Sequence, residues 1–233
     1  MGNLSRGLHL AFIPDGNRRW AKLYGLDAIR GHEVGIEKMG KVLEWCREEG
    51  IKTVSFWAFS TENFNRDTDE VKELFTAFET RLSKVLREAE FEKHKVRVRF
   101  IGDISRFPAK IQAGIKKIES DTSKYKTYEL NFFIGYGGRA ELVDAAQKLA
   151  KDFAKNPKAI TEEEFEKRLW SHGVNEPDLI IRTSGEIRIS GFLPFKSSYS
   201  EFYFEPKLWP DFEKEDLIKA IEDFELRKRR WGK

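Results

Sequence analysis

One cysteine, Cys46, stands in the 233 residues. That count excludes an internal disulfide and a thiolate metal cluster, fits a reducing compartment, and leaves Cys46 a helix-packing role. Long apolar runs are missing as well, since no stretch approaches the ~18 to 20 residues of a membrane span. Proline-, glycine- or serine-rich linkers and internal repeats are also absent, so a single domain over 1–233 is expected. Lys and Arg outnumber Asp and Glu by only 42 to 39, too small a surplus to argue for nucleic acid. The basic run from Arg227 to Lys233 reads at first as a solvated tail. Met1 to Arg6 has no apolar signal region, and Arg6 stands where a myristoylation pattern wants Ser or Thr, so no targeting segment and a cytoplasmic location are expected. The phosphate-loop, serine-hydrolase and zinc-protease patterns G-x-x-x-x-G-K-[ST], G-x-S-x-G and H-E-x-x-H do not occur.

What the chain does have is regular alternation. Short β-branched or aromatic runs at His9–Ile13, Thr53–Phe59, Val96–Ile101, Glu129–Ile134, Leu179–Arg182 and Glu201–Phe204 alternate with helical patterns. This is the signature of an α/β protein with a mostly parallel six-stranded sheet flanked by helices. Residues 33–49 read as a crossover helix stopped by Gly50, and Asp67 with Glu70 reads as a capping pair opening a longer helix. Val71, Leu74, Phe75, Phe78, Leu82, Val85, Leu86 and Ala89 share one face of that longer helix. The stripe is core, or it is the wall of a long apolar cavity, which requires Trp57, Phe132 and Phe133 to face it.

Polar clusters follow the strands. Asp15-Gly16-Asn17-Arg18-Arg19-Trp20 comes directly after the first. A helix beginning at Asn17 presents free N–H groups, Gly16 permits close backbone approach, and two guanidiniums add charge, which together suit a diphosphate. Asp15 would repel that diphosphate unless a divalent ion lay between them, so Mg²⁺ is implied. A capped strand-to-helix turn with solvated arginines is the bland alternative. Ser60, Asn63 and Arg66 follow the second strand. His32 lies where it can touch a phosphate or simply pack near a helix start.

Gly135-Tyr-Gly-Gly-Arg-Ala140 matches a dinucleotide fingerprint. No strand ending in an acid follows about 20 residues later, so the glycines read as a tight, anion-tolerant turn. After the fifth strand, Arg182, Arg188 and Ser190 form a fork-plus-hydroxyl set suited to a second phosphorylated ligand, with a surface loop salt-bridged to Glu186 as the alternative. Glu201 is the one acid in an apolar strand, a placement that demands a partner. In an open α/β sheet these strand ends converge on one cleft.

On D-G-N-R-R-W-A at Asp15 to Ala21, G-H at Gly31 and His32, F-S-T-E-N-F-N-R at Phe59 to Arg66, Y-G-G-R at Tyr136 to Arg139, D-L-I-I-R-T-S-G-E-I-R-I-S at Asp178 to Ser190 and Y-S-E-F-Y-F at Tyr199 to Phe204, the sequence resembles the cis-prenyltransferases of the undecaprenyl diphosphate synthase type. The resemblance covers nearly the whole chain. It implies a (Z)-polyprenyl diphosphate synthase that condenses isopentenyl diphosphate onto an allylic diphosphate primer, with Mg²⁺, as a homodimer, with an apolar tunnel and at most transient membrane contact through its product. The D-D-x-x-D pairs of the all-helical trans-synthases are missing.

Under the same resemblance Asp15 is the central acid and a metal ligand, and Glu201 is a second metal ligand. Gly16, Asn17, Arg18, Arg19 and Arg66 hold the allylic diphosphate, with Trp20 and His32 beside it. Ser60, Thr61, Glu62, Asn63 and Phe64 position substrate, with Asn63 placed to relay the proton lost in condensation. Arg182, Arg188 and Ser190 bind isopentenyl diphosphate, reached across the dimer by Arg230 and Gly232 of the basic tail.

Three departures from the family pattern stand out. Ala28 occupies a common arginine position with Arg30 nearby, Pro14 replaces a methionine, and Gly191 to Lys196 replaces N-F-L-L-W-Q. Two rivals remain: a non-catalytic supporting subunit, and an enzyme that prenylates a phosphorylated, non-diphosphate acceptor.

Overall fold

The computed structural model describes residues 7–227 except Ala89 and Lys158. Six strands run β1 (His9–Ile13), β2 (Thr53–Ser60), β3 (Val96–Ile101), β4 (Tyr128–Tyr136), β5 (Leu179–Arg182) and β6 (Glu201–Phe204). Around them lie α1 (Asn17–Leu23), α2 (Ala28–Glu48), α3 (Thr68–Glu88), α4 (Glu90–Lys93), α5 (Ala109–Thr122), α6 (Gly138–Lys155), α7 (Glu162–Glu166) and α8 (Lys214–Leu226). All strand pairs are parallel, in the order β3-β4-β2-β1-β5-β6. The chain therefore builds outward on one side of β1, then returns to its other side with β5. That reversal opens a crevice at the carboxyl ends of β1 and β5.

Strand alternation sorts the core into two faces. Leu10, Phe12, Val54, Phe56, Leu130 and Leu179 point to one face, where they meet Val42 and Cys46 of α2, Leu82 of α3, Ile111 and Ile115 of α5 and Leu217 of α8. Ala11, Ile13, Phe133 and Ile180 point to the other, against Tyr136, Val174, Phe192 and Leu193. Phe133 therefore does not face the helix stripe, and Trp57 stacks its ring on Phe192 at 5.2 Å on that same second face. Of the three aromatics expected to face the stripe, Phe132 does so, stacked between Phe56 and Phe100; Trp57 borders the same cavity while its ring packs on the second face, and Phe133 does not reach it.

A register shift between Trp57, Phe59 and Ser60 interrupts the β2–β4 ladder. It turns Phe59 onto the first face, where it meets Phe64, Phe75 and Phe107, and aims Ser60 at the strand end, a common use of a β-bulge beside a site.

Helix α2 begins at Ala28, five residues ahead of the expected start at 33, so His32 lies inside its first turns. Asp67 does cap α3, accepting from the Asp69 amide at 2.9 Å. Glu70 does not complete a capping pair and reaches toward the strand ends instead. The side chain of Leu86 and residue Ala89, both counted in the stripe, fall outside the described residues.

Candidate active site

The carboxyl ends of β1 and β5 meet at one ion pair. Asp15 Oδ2 accepts from Arg182 Nη2 at 2.8 Å. The second guanidinium nitrogen of Arg182 donates to Arg188 O at 2.6 Å and Ser190 Oγ at 2.8 Å. Arg182 is 5% exposed and its Nε is buried without a partner, so this guanidinium is fixed by the carboxylate and the loop around it. Thr183 Oγ1 closes the crevice from the backbone side, accepting from the Asp15 amide at 3.0 Å and donating to its carbonyl at 2.8 Å. Burial alone raises the Asp15 pKa, but the hydrogen bond and charge of Arg182, the hydroxyl of Ser184 and the charge of Arg19 outweigh it and hold the carboxyl below its ordinary value. Asp15 is thus a carboxylate, and its side chain stays 32% exposed to the crevice.

Gly16 is required by its backbone and its surroundings. It has φ +110°, and a Cβ there would lie 2.8 Å from Leu208 Cδ2, so any other residue is both strained and crowded. The segment carrying Leu208 is anchored by Trp209, whose amide donates to Asp15 O and whose indole donates to Gly35 O at 2.8 Å. Asn17 lies over Gly35, where a Cβ would fall 2.3 Å from its Oδ1. That oxygen is buried and has no hydrogen-bond partner.

The two arginines after Asn17 diverge. Arg18, 58% exposed, leans toward Glu70 at 3.7 Å. Arg19 turns to the β5 loop, donating to Ser184 Oγ at 2.6 Å and pairing with Glu186 at 3.2 Å. Arg19 therefore lies beside the Arg182 group, with its Nη2 3.4 Å from Asp15 Oδ1. Trp20 does not reach the crevice; its indole donates to Asp211 Oδ1 at 2.7 Å and its ring packs on Tyr24.

Glu70 is a member of the site that sequence reasoning assigned only to a cap. Its Oε1 lies 3.1 Å from Arg66 Nη1, 3.7 Å from Arg18 Nε and 3.9 Å from His32 Nε2. Three basic groups from α1, α2 and the segment after β2 thus surround one carboxylate. The spacing of Arg66 and Glu70, one helical turn apart, was the available signal. His32 has its pKa lowered to about 4 by burial, then by Arg66 and Arg18, so it is neutral here.

Ser60 and Asn63 lock each other through a reciprocal cap at the 3₁₀ turn Thr61–Asn65, with Asn63 Oδ1 accepting from the Ser60 amide at 2.9 Å. Thr61 packs on Gly137, Glu62 is exposed to solvent, and Phe64 packs among Phe59, Phe75 and Phe107 under the Arg106 guanidinium. These three support the turn and do not line the crevice.

The glycine turn after β4 serves close packing. A Cβ on Gly138 would sit 2.2 Å from Gly191 O and one on Gly137 2.2 Å from Thr61 Oγ1, so the turn packs tightly on the β5 loop on one side and on Thr61 on the other. That loop is strained, with Ser184, Ser190 and Leu193 all at positive φ, as is common where a site is held in shape. Arg188 is 57% exposed and pairs with Glu186. Arg30 pairs with Glu33 at 2.8 Å and does not replace the arginine missing at Ala28.

Glu201 does not join Asp15 within the chain. It opens β6 opposite Leu179, while Arg182 lies opposite Phe204, so the parallel register separates the two levels by about 10 Å. Its carboxylate accepts from Arg227 Nη1 at 2.9 Å, which supplies the partner its position demands. Arg230 and Gly232 lie outside the described residues. Among the described residues no three His, Cys, Asp or Glu side chains form a cation cage.

Below the crevice opens a cavity of about 1180 Å³, above the roughly 300–1,000 Å³ of ordinary small-molecule pockets. Asp15, His32, Arg66 and Arg182 line its mouth, and Met39, Leu43, Leu74, Phe78 and Phe132 its walls. It continues to Arg47 and His94, which pair with each other at its far end. From His32 to Arg47 along α2 is roughly 22 Å. The helix stripe is thus both core and cavity wall.

An open parallel sheet with two cation groups flanking a carboxylate, over a long apolar cavity, defines a class of enzymes acting on lipid-tailed anions. The chain belongs to the undecaprenyl diphosphate synthase family of prenyltransferases, whose model matches residues 13–232. It is 44% identical to an isoprenyl transferase of Thermus thermophilus over 97% of this chain and 88% of that protein. It is also 44% identical to a tritrans,polycis-undecaprenyl-diphosphate synthase (geranylgeranyl-diphosphate specific) of Methanocaldococcus jannaschii, over 97% of this chain and 82% of that one. Among solved structures, lavandulyl diphosphate synthase from Lavandula x intermedia in complex with dimethylallyl diphosphate superposes with a TM-score of 0.91 at 34% identity, covering 97% of this chain and 98% of that one.

Proposed function

We propose that the chain is a (Z)-polyprenyl diphosphate synthase, adding isopentenyl diphosphate units to an allylic diphosphate primer to make a long polyprenyl diphosphate. The single observation that carries this reading is the cavity of about 1180 Å³ whose lining extends from the charged mouth to Arg47. A protein that only bound diphosphates would have no use for an apolar channel of that length. The primer's diphosphate takes Arg18, Arg66 and His32, displacing Glu70 as their anionic partner. The diphosphate of isopentenyl diphosphate takes Arg19, Arg188 and Ser190, with Arg182 beneath. Two anion sites sharing Asp15 hold the alkene near the allylic carbon, and proximity then lowers the barrier. Asn63, oriented by Ser60, stands at the junction where the proton is lost.

Asp15 and the diphosphate oxygens would hold Mg²⁺. One partly exposed carboxylate without a protein cage suits an ion that keeps waters and binds substrate phosphates. When bound it supplies neutralisation of charge building on the leaving diphosphate. Glu201 takes no part in this within one chain.

Among the described residues no strand lies beside the outer edge of β6, and Tyr199 and Leu226 nearby are 61% and 84% exposed. That edge is our choice for a homodimer face, with Arg230 and Gly232 reaching the partner's isopentenyl site. Among the described residues no helix is long and apolar enough to cross a membrane, consistent with a cytoplasmic enzyme whose product meets lipid.

The test is incorporation of radiolabelled isopentenyl diphosphate with Mg²⁺ and C10, C15 or C20 primers, products being sized by chromatography. The C20 primer is tried first, because the Methanocaldococcus relative carries that specificity in its name. A ladder of long products is expected, and Asp15→Ala should lower the rate by about 10³-fold or more. No incorporation with any primer would refute the synthase reading in favour of a supporting subunit or a different acceptor.

A further inference from the structure

Among the described residues, exposed large apolar side chains are scattered singly except in one place. In the turn joining α1 to α2, Leu23, Tyr24 and Leu26 are 75%, 62% and 43% exposed within four consecutive positions. Scattered exposed leucines need no explanation, but a contiguous group does. Basic groups rim this one. Lys22, exposed, has no ion-pair partner among the described residues, and Arg30, 58% exposed, is shared with Glu33; Arg18 beside them is held toward Glu70 at the mouth. Asp27 is the acid within the turn.

A second, independent observation concerns position. Lys22, Gly25 and Leu26 also line the mouth of the long cavity, so the apolar surface outside continues into the apolar space inside.

Chemistry selects the occupant. A folded protein partner needs about 800 Å² on each side for a stable complex, which three side chains on a turn do not supply. A bilayer asks less: a few apolar side chains placed at the boundary of headgroups and acyl chains, with cations against lipid phosphates.

We propose that the α1–α2 turn is a membrane-docking loop, seating Leu23, Tyr24 and Leu26 in the interfacial layer of an anionic bilayer so that the cavity mouth opens onto lipid. The proposal rests on the prenyl-lipid reading for what passes through that mouth. A long apolar tail then leaves for acyl chains without crossing water.

The test is co-sedimentation of the full chain with vesicles of phosphatidylcholine alone and of phosphatidylcholine containing about one quarter phosphatidylglycerol. Wild type should pellet with the anionic vesicles, less with the neutral ones and less at high salt. Leu23→Asp with Tyr24→Asp should reduce the bound fraction roughly tenfold, and Leu23→Asp alone, at a side chain 75% exposed, should reduce it by a smaller factor. Circular dichroism confirms that the variants fold. Wild type failing to pellet, or both variants pelleting as wild type does, overturns the proposal. So does a variant that shifts the oligomeric size in solution while vesicle binding is unchanged, since the turn is then a protein contact. Prenyl transfer is assayed separately in detergent: failure there with vesicle binding intact would sink the synthase reading and leave the docking loop standing.

Discussion

The two faces of the sheet are built from the same alternating strands and packed to opposite ends. On the face carrying Phe133, Tyr136, Phe192 and Trp57, aromatic rings meet one another at 4.9 to 6.4 Å, and most buried polar groups pair with one another. His9 Nε2 pairs with Ser55 Oγ at 2.7 Å, which also accepts from Asn131. Glu141, fully buried, accepts from the Tyr136 hydroxyl and from the Ser171 amide. On the face carrying Phe56 and Phe132, helices α2 and α3 stand off the strands and leave the cavity between, with Leu74, Phe75 and Phe78 only half-buried. Both faces carry packed core, with Phe12, Phe56, Trp209 and Phe212 fully buried on the side that holds the cavity, but on that side alone a ligand-sized void lies beside the core, and where the void runs close packing is given up.

The comparison can be pressed by truncating one phenylalanine on each side. Phe192→Ala removes a fully buried ring from three aromatic neighbours, and should cost about 3–5 kcal/mol in chemical denaturation. A much smaller loss would mean that the filled face relaxes easily.

Acid should act on the same face. His9 is fully buried and its pKa is lowered to about 4, chiefly by burial, whereas the unfolded chain takes up that proton near pH 6.5. Between these values the unfolded state binds the extra proton. Stability present above pH 6.5 therefore drains as pH falls toward 4, by about 3 kcal/mol in all. Denaturation midpoints from pH 7 to 4.5 should show this slope, and His9→Gln should flatten it relative to wild type.

Phe78→Ala, on the hollow side, should cost only about 1–2 kcal/mol, since that ring already borders open space and its removal enlarges an existing void. A loss as large as that of Phe192→Ala would erase the distinction between the faces. The mildest change to the fold is Gly40→Leu. A Cβ at Gly40 lies 3.4 Å from Arg81 Nη2 on the cavity wall, so a leucine narrows the channel. We expect near-normal stability with a shorter longest product, read from the chromatographic ladder.

Much of the architecture was legible because each strand is a short apolar run bounded by polar segments. The observed β1, β3, β5 and β6 coincide with their expected spans. Elsewhere the local signal misled. The start of α2 lies earlier than its apolar periodicity shows, since Ala28 to His32 is held by packing against α1. Phe133 looks like a wall residue by composition, yet strand parity sends it to the other face, and Trp57 borders the cavity while its ring packs on that other face. The bulge after Trp57 then reverses parity for Phe59, and no turn residue announces it.

Asp15, Arg66, Arg182 and Ser190 were findable because charge and hydroxyl groups follow directly on strand ends, and a parallel sheet brings such ends together whatever lies between them. Glu70 was not, because its role depends on three cations supplied by distant segments. For Glu201 the signal was partial: an acid in an apolar strand calls for a partner, and within the chain that partner is Arg227, which local sequence does not specify.

The sequence by itself therefore determined the class of fold, the order of the strands along the chain and the chemical character of the mouth, since these follow from local periodicity and residue type. Only the tertiary structure decided which arginine serves which anion site, which aromatics fill a face and which leave it hollow, and where the apolar turn lies relative to the mouth. Those are matters of register and distance between segments far apart in the chain, and no local pattern encodes them.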